Sequence, residues 1–136
     1  MRFNRIVAVG LAAASLLGLG ATAASAFPVR NIITETITAR RAAIAAQVWS
    51  PPGGGCGANT YFGVYPPNST TQVWGSFKRI NVCRYKASGG WSYGVGVRVV
   101  DPNKVPAGRY TICVTAGGTV NGLPSRHTSC VNRRIG

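Results

Sequence analysis

The chain has 136 residues, 15 Lys plus Arg against 2 Asp plus Glu, one His, four Cys and a formal net charge of +13. That length supports one small domain. Two acidic residues exclude most paired-carboxylate catalysis and most oxygen-ligand metal sites, while the charge favours anionic partners.

Residues 1–26 read as a leader. Arg2 and Arg5 form a basic start, Ile6 to Leu19 is an apolar run interrupted only by small residues, and Ala24-Ser25-Ala26 is an A-x-A cleavage site. The run is short for a bilayer span, no cysteine lies near the cut, and no second apolar segment follows. The expectation is a secreted, extracellular protein with no integral membrane segment after cleavage. Removal of the leader leaves 13 basic residues against two acids, a net +11 over 110 residues. That remainder has one Leu and no Met but thirteen Val, seven Ile and ten Thr. β-Branched side chains pack on a pleated sheet and lose rotamer freedom in a helix, so the composition predicts an all-β chain.

Residues 27–49 form an N-terminal arm or first strand. Ile32 to Thr38 is β-branched like a strand, while Ile33, Ile37, Ile44 and Val48 also fit one helical face. Ser50-Pro51-Pro52-Gly53-Gly54-Gly55 then breaks regular structure and opens the main domain, residues 50–136. Within it, strand-like runs recur roughly every ten residues. They are Thr60–Tyr65, Thr71–Phe77, Asn81–Ala87, Trp91–Asp101, Arg109–Ala116 and His127–Ile135, separated by Pro-, Gly- and Asn-rich breaks. This rhythm predicts a small disulfide-stabilised antiparallel β-sandwich or a small barrel.

Val105-Pro106-Ala107-Gly108-Arg109-Tyr110-Thr111-Ile112-Cys113-Val114 resembles the P-A-G-x-Y-T entry into a late strand of bacterial immunoglobulin-like domains. The likeness spans about ten residues and implies sandwich architecture, with nothing carried over about function. In antibody-type domains the corner tyrosine lies two residues before the cysteine; here Tyr110 lies three before Cys113.

Cys56, Cys83, Cys113 and Cys130 are an even set in the exported part, which reads as two disulfides. A zinc site would need C-x-x-C spacing or more than one histidine. Asn121-Gly122 is a strong two-residue hairpin signal. In a type I′ hairpin closed there, opposed residues have numbers adding to 243, as 113 and 130 do. Alternation of the ladder places that pair on a non-hydrogen-bonded site, where side chains come closest. The register favours Cys113–Cys130 and leaves Cys56–Cys83 by elimination.

Catalytic and metal-ligating sets are not apparent, and no cofactor is implied. His127 is the only imidazole, without a nucleophile elbow to serve. Glu35 lies in the N-terminal arm, and Asp101 precedes Pro102 as a turn initiator. Gly53 to Gly57 lacks the Lys-Ser/Thr of a phosphate loop, and Asn68-Ser69-Thr70, a glycosylation sequon, marks an exposed loop.

The basic residues carry the functional reading. Arg outnumbers Lys ten to three after the leader, and the guanidinium fork suits phosphate and carboxylate. Strand alternation sets Trp74, Ser76 and Lys78 opposite Val73 and Phe77, Arg84 and Lys86 opposite Cys83 and Tyr85, and Arg98 opposite Val97 and Val99. With the apolar sides inward, Lys78, Arg84, Lys86, Arg98 and Trp74 would share one outer face that binds polyanions. Trp91, Tyr93, Val95, Val97 and Val99 would then be core. The expected function is a non-enzymatic cationic binding protein for an anionic polymer: envelope glycopolymer, acidic polysaccharide, lipid head groups or nucleic acid. A secreted antagonist, either an antimicrobial protein or an enzyme inhibitor presenting residues 117–125 as a rigid loop, and a small secreted hydrolase are the alternatives.

Overall fold

The computed structural model describes residues 27–38 and 40–136; the leader expectation lies outside them. Among the described residues eight strands follow in order: β1 Val29–Thr38, β2 Arg41–Ser50, β3 Gly57–Tyr65, β4 Trp74–Asn81, β5 Tyr85–Lys86, β6 Ser92–Val99, β7 Gly108–Val120 and β8 Leu123–Ile135. One turn of 3₁₀ helix, Ser88–Gly90, lies between β5 and β6. The strands form two antiparallel sheets, a front sheet in the order β8-β7-β3-β4 and a back sheet in the order β1-β2-β6-β5. The described residues therefore form an all-β sandwich.

The interior is built by every second residue of the central strands. Ala58, Phe62 and Val64 of β3 with Ile112, Val114 and Ala116 of β7 face Ile44, Ala46 and Val48 of β2, all fully or almost fully buried. A side chain of the size of Phe62 or Ile112 contributes roughly 1.5–3 kcal/mol through such burial. Residues 27–50 are integral to this core: Phe27, Val29 and Ile32 pack in it, and β1 and β2 supply half of the back sheet. A helix through Ile44 and Val48 is thereby excluded. β1 is also tied to the front sheet, where Val29 N donates to His127 Nδ1 at 3.2 Å and Thr34 Oγ1 donates to the Arg134 carbonyl at 2.8 Å.

The β7–β8 hairpin follows the expected register. Asn121 and Gly122 both have positive φ, +51° and +79°, as a type I′ turn requires. The ladder then runs without a shift from Leu123 opposite Val120 to Ile135 opposite Gly108, setting Cys130 against Cys113. The structure holds Cys113–Cys130 and Cys56–Cys83 disulfides, with Cα separations of 4.1 and 5.0 Å. Residues 117–125 are consequently strand ends and a two-residue turn, not the projecting loop envisaged for an inhibitor.

Three expectations are corrected. Asn81–Ala87 is not a strand. Asn81 Oδ1 accepts the Cys83 N–H at 2.9 Å, Val82 N donates to the Cys56 carbonyl, and the chain crosses to the back sheet, where β5 has two residues. On β6 the facing is reversed: Val95, Val97 and Val99 stand outward, whereas Ser92, Gly94 and Gly96 are buried. The end of β4 lies so close to β6 that a Cβ on Gly94 would land on the Asn81 carbonyl oxygen, and one on Gly96 on the Ile80 side chain. At Gly94 the obstacle is backbone and only glycine fits, so sheet spacing there overrides the preference for burying valine. On β4 the facing is reversed as well. Ile80 is buried and Trp74 packs against the core, so Ser76 and Lys78 share their inward parity and Phe77 is 57% exposed.

Candidate ligand-binding face

These reversals redistribute the residues expected to form one basic face. Trp74 and Lys78 belong to the inner side of β4, and Arg98 to the inner side of β6, opposite Ile44 of β2. Among the described residues β6 has no strand partner on that side beyond the two residues of β5. Arg98 spans the seam instead, its Nε donating to Ser76 Oγ of β4 at 2.7 Å. Trp74, Lys78 and Arg98 thus lie along one seam between the sheets, half-buried. Arg84 and Lys86 sit elsewhere, exposed on the crossover and on β5, with the Arg84 guanidinium 5.6 Å over the Tyr85 ring. The five residues do not form a common outer face.

A different cationic face exists on the front sheet. The registers align its outward residues in rows across β8, β7, β3 and β4. One row is Arg126, Gly117, Asn59 and Arg79; the next is Thr128, Thr115, Tyr61 and Phe77; the third is Cys130, Cys113, Gly63 and Gly75. Asn132, Thr111 and Tyr65 follow, and Arg134 stands beside Arg109 at the far end. None of the four strands carries a carboxylate. Arg126 and Arg79 are three strand spacings apart, about 14 Å at 4.8 Å per strand. From Arg126 an open groove of about 650 Å³ runs across to Asn59, Tyr61 and Phe77, with Thr115 and Gly117 in its floor.

Local hydrogen bonds hold these side chains in place. Arg79 Nη1 donates to Asn59 Oδ1 at 2.8 Å, Thr111 Oγ1 to Asn132 Oδ1 at 2.9 Å, and the Thr115 and Thr128 hydroxyls pair at 2.8 Å. Gln72 folds down over β3 and β4, donating through Nε2 to the Tyr61 hydroxyl at 2.8 Å and accepting at Oε1 from the Tyr65 hydroxyl at 3.3 Å. Gly63 and Gly75 make room for this cluster, since a Cβ at either position would meet Gln72 and a tyrosine. Cross-strand bonds of this kind leave less side-chain freedom to lose when a ligand binds. The face joins fixed stacking surfaces to guanidinium forks, an arrangement suited to anionic groups carried on rings.

Arg79, Arg109, Arg126, Arg134 and Phe77 are absent from the face drawn by alternation alone. The hairpin register that pairs the cysteines also sets Arg126 opposite Gly117 and Arg134 opposite Arg109, so half of this face was legible in the sequence. Phe77 and Arg79 needed the true parity of β4.

His127 points toward β1. Burial and then the charge of Arg30 lower its pKa below the ordinary value of 6.5, which suits an Nδ1 that accepts the Val29 N–H. Asp101 lies in the β6–β7 loop, where its carboxylate accepts the Asn103 N–H at 2.9 Å. Among the described residues no helix is long and apolar enough to cross a membrane, and no group of three or more His, Cys, Asp or Glu could hold a metal. The two disulfides mark an oxidising compartment.

Comparisons of the chain with protein-family models, with curated proteins and with solved structures found no match.

Proposed function

We propose that the protein is a secreted, non-enzymatic binding module of immunoglobulin-like build, whose front-sheet face engages anionic polymers outside the cell. The observation that carries this reading is a carboxylate-free sheet on which Arg79, Arg109, Arg126 and Arg134 surround Tyr61, Tyr65 and Phe77. A net +11 after the leader exceeds the magnitude of about 2–8 that solubility asks of a small domain. His127 and Asp101 are engaged in backbone contacts on separate elements, and all four cysteines are in disulfides, which favours binding over hydrolysis.

Strand order supports the immunoglobulin-like reading. With β1 to β8 taken as A, B, C, C′, D, E, F and G, the back sheet runs A-B-E-D and the front sheet G-F-C-C′. The Tyr110 hydroxyl donates to the Pro106 carbonyl at 2.6 Å, the backward bond that a corner tyrosine makes. The chain departs from antibody domains in its disulfides. One links neighbouring β7 and β8 and the other ties the start of β3 to the β4–β5 turn, so neither joins strands B and F.

The test is a binding panel of polygalacturonate, single-stranded DNA and neutral dextran. The anionic polymers should bind with an affinity that falls steeply as salt rises, because released counterions drive association, and dextran should not bind. Arg79→Glu with Arg126→Glu should weaken binding at least tenfold. Affinity indifferent to salt and to this double reversal would refute the reading. Export is checked separately by N-terminal sequencing of protein from the culture medium, which should begin at Phe27.

A further inference from the structure

The outer face of the back sheet is a second surface, chemically unlike the first and independent of the polymer reading. Val95, Val97 and Val99 project from β6 at 45%, 46% and 43% exposure, and Ile33 of β1 is 46% exposed. Ile33, Ala45 and Val97 form one apolar row across three strands, flanked by the row of Arg30, Gln47 and Val95 on one side and that of Glu35, Ala43 and Val99 on the other. Beyond it lies an aromatic ladder, Trp49, Tyr93 and Tyr85, with ring centroids 4.5 and 5.1 Å apart. Arg30 and Arg84 lie over the two ends of that ladder, 5.8 Å from Trp49 and 5.6 Å from Tyr85. Arg40 and Arg41 stand at the opposite end of the strip, in and after the β1–β2 turn, so cations bound it on both ends. The face carries one acid, Glu35, on the edge strand.

Two considerations choose the occupant. Strand spacing and rise give the strip a floor of roughly 250 Å², well short of the roughly 800 Å² per partner of a stable dimer. A second copy would also bring its own excess of positive charge against this one. A bilayer surface containing acidic lipid meets both conditions, since shallow apolar contact suffices when arginines reach the phosphates. Tyr and Trp favour the level between acyl chains and head groups, which a flat face that sets the ladder beside the valines and arginines over its ends can reach. The backbone of β2, beneath the strip, is paired on both sides, so contact with acyl chains strands no peptide group there.

We propose that this face docks flat on membranes rich in anionic lipid, with the valine strip at the acyl boundary and the arginines at the phosphates. The full chain is expressed with its leader, and the processed protein is mixed with vesicles of pure phosphatidylcholine or of seven parts phosphatidylcholine to three parts phosphatidylglycerol. The acidic vesicles should bind at least tenfold more tightly, with a blue shift of tryptophan emission. Val97→Asp should lower that affinity at least tenfold while polygalacturonate binding and the thermal transition stay unchanged, and the milder Val95→Ser should lower it less. Absence of binding to acidic vesicles, or equal binding by both variants, overturns the proposal. A dimer in solution that Val97→Asp dissociates overturns it too, because the strip would then belong to a second copy.

Discussion

The two outer faces of this sandwich come from strands of the same alternating kind, yet one is polar and cationic and the other apolar. On the front sheet the inward positions of β3 and β7 hold Phe62, Val64, Ile112 and Val114, leaving Tyr61, Thr111 and Thr115 outside. On the back sheet β6 turns Gly94 and Gly96 inward and leaves its valines in solvent. The contrast shows that an alternating strand specifies two faces but does not say which is interior. The sheet that must approach closely fills its inner side with the residues that permit approach.

The sharpest way to break this contrast is at adjacent residues of β6. Gly94→Val should destabilise by about 3 kcal/mol or more, because the Asn81 carbonyl cannot move out of the way as a side chain could. Val95→Thr, its outward neighbour, should stay within about 0.5 kcal/mol in the same denaturant titration. Equal effects would mean that the facing is wrong.

Next in size is the bond that crosses the cationic face. Replacing Cys113 and Cys130 together with Ser should cost about 3 kcal/mol on the chain-entropy account of a loop of this length. Non-reducing peptide mapping should show these two cysteines joined, and a link from Cys113 to Cys56 would contradict the register.

A smaller effect joins the two sheets through His127. Its folded pKa lies below the unfolded value near 6.5, from burial and then from Arg30, so the folded state favours the neutral ring. The unfolded chain therefore takes up the proton first. Stability from this site is complete above about pH 6.5, falls as acid is added through the window down to the folded pKa, and levels off below it. His127→Gln should flatten that part of the pH profile of thermal unfolding; an unchanged profile would place the acid sensitivity elsewhere.

The smallest change should improve the protein. Thr60 Oγ1 is buried on the inner side of β3 with no hydrogen-bond partner among the described residues. Thr60→Val keeps the shape and removes the desolvated hydroxyl, which should raise stability by about 1 kcal/mol. A loss of stability on chemical denaturation would show that the hydroxyl has a partner after all.

The sequence by itself determined the all-β class, through its shortage of Leu and wealth of Val, Ile and Thr, and it determined the β7–β8 hairpin. Asn121-Gly122 sets a turn whose register is local and, with no bulge at Gly117-Gly118, counts outward to Cys113 and Cys130 and on to Arg109 and Arg134, as the ladder does. Tertiary structure alone decided which side of β4 and β6 is interior. Turning the valines of β6 inward works only where the facing sheet leaves space for them, and on β4 alternation alone does not choose between Phe77 and the pair Trp74 and Ile80. Here Ile80 and Asn81 of β4 occupy that space, so the valines of β6 are displaced outward and Arg98 is turned into the seam, while Trp74 and Ile80 take the interior side of β4 and leave Phe77 and Arg79 on the cationic face. Period-two alternation is a property of one strand, whereas the distance between two sheets belongs to the pair.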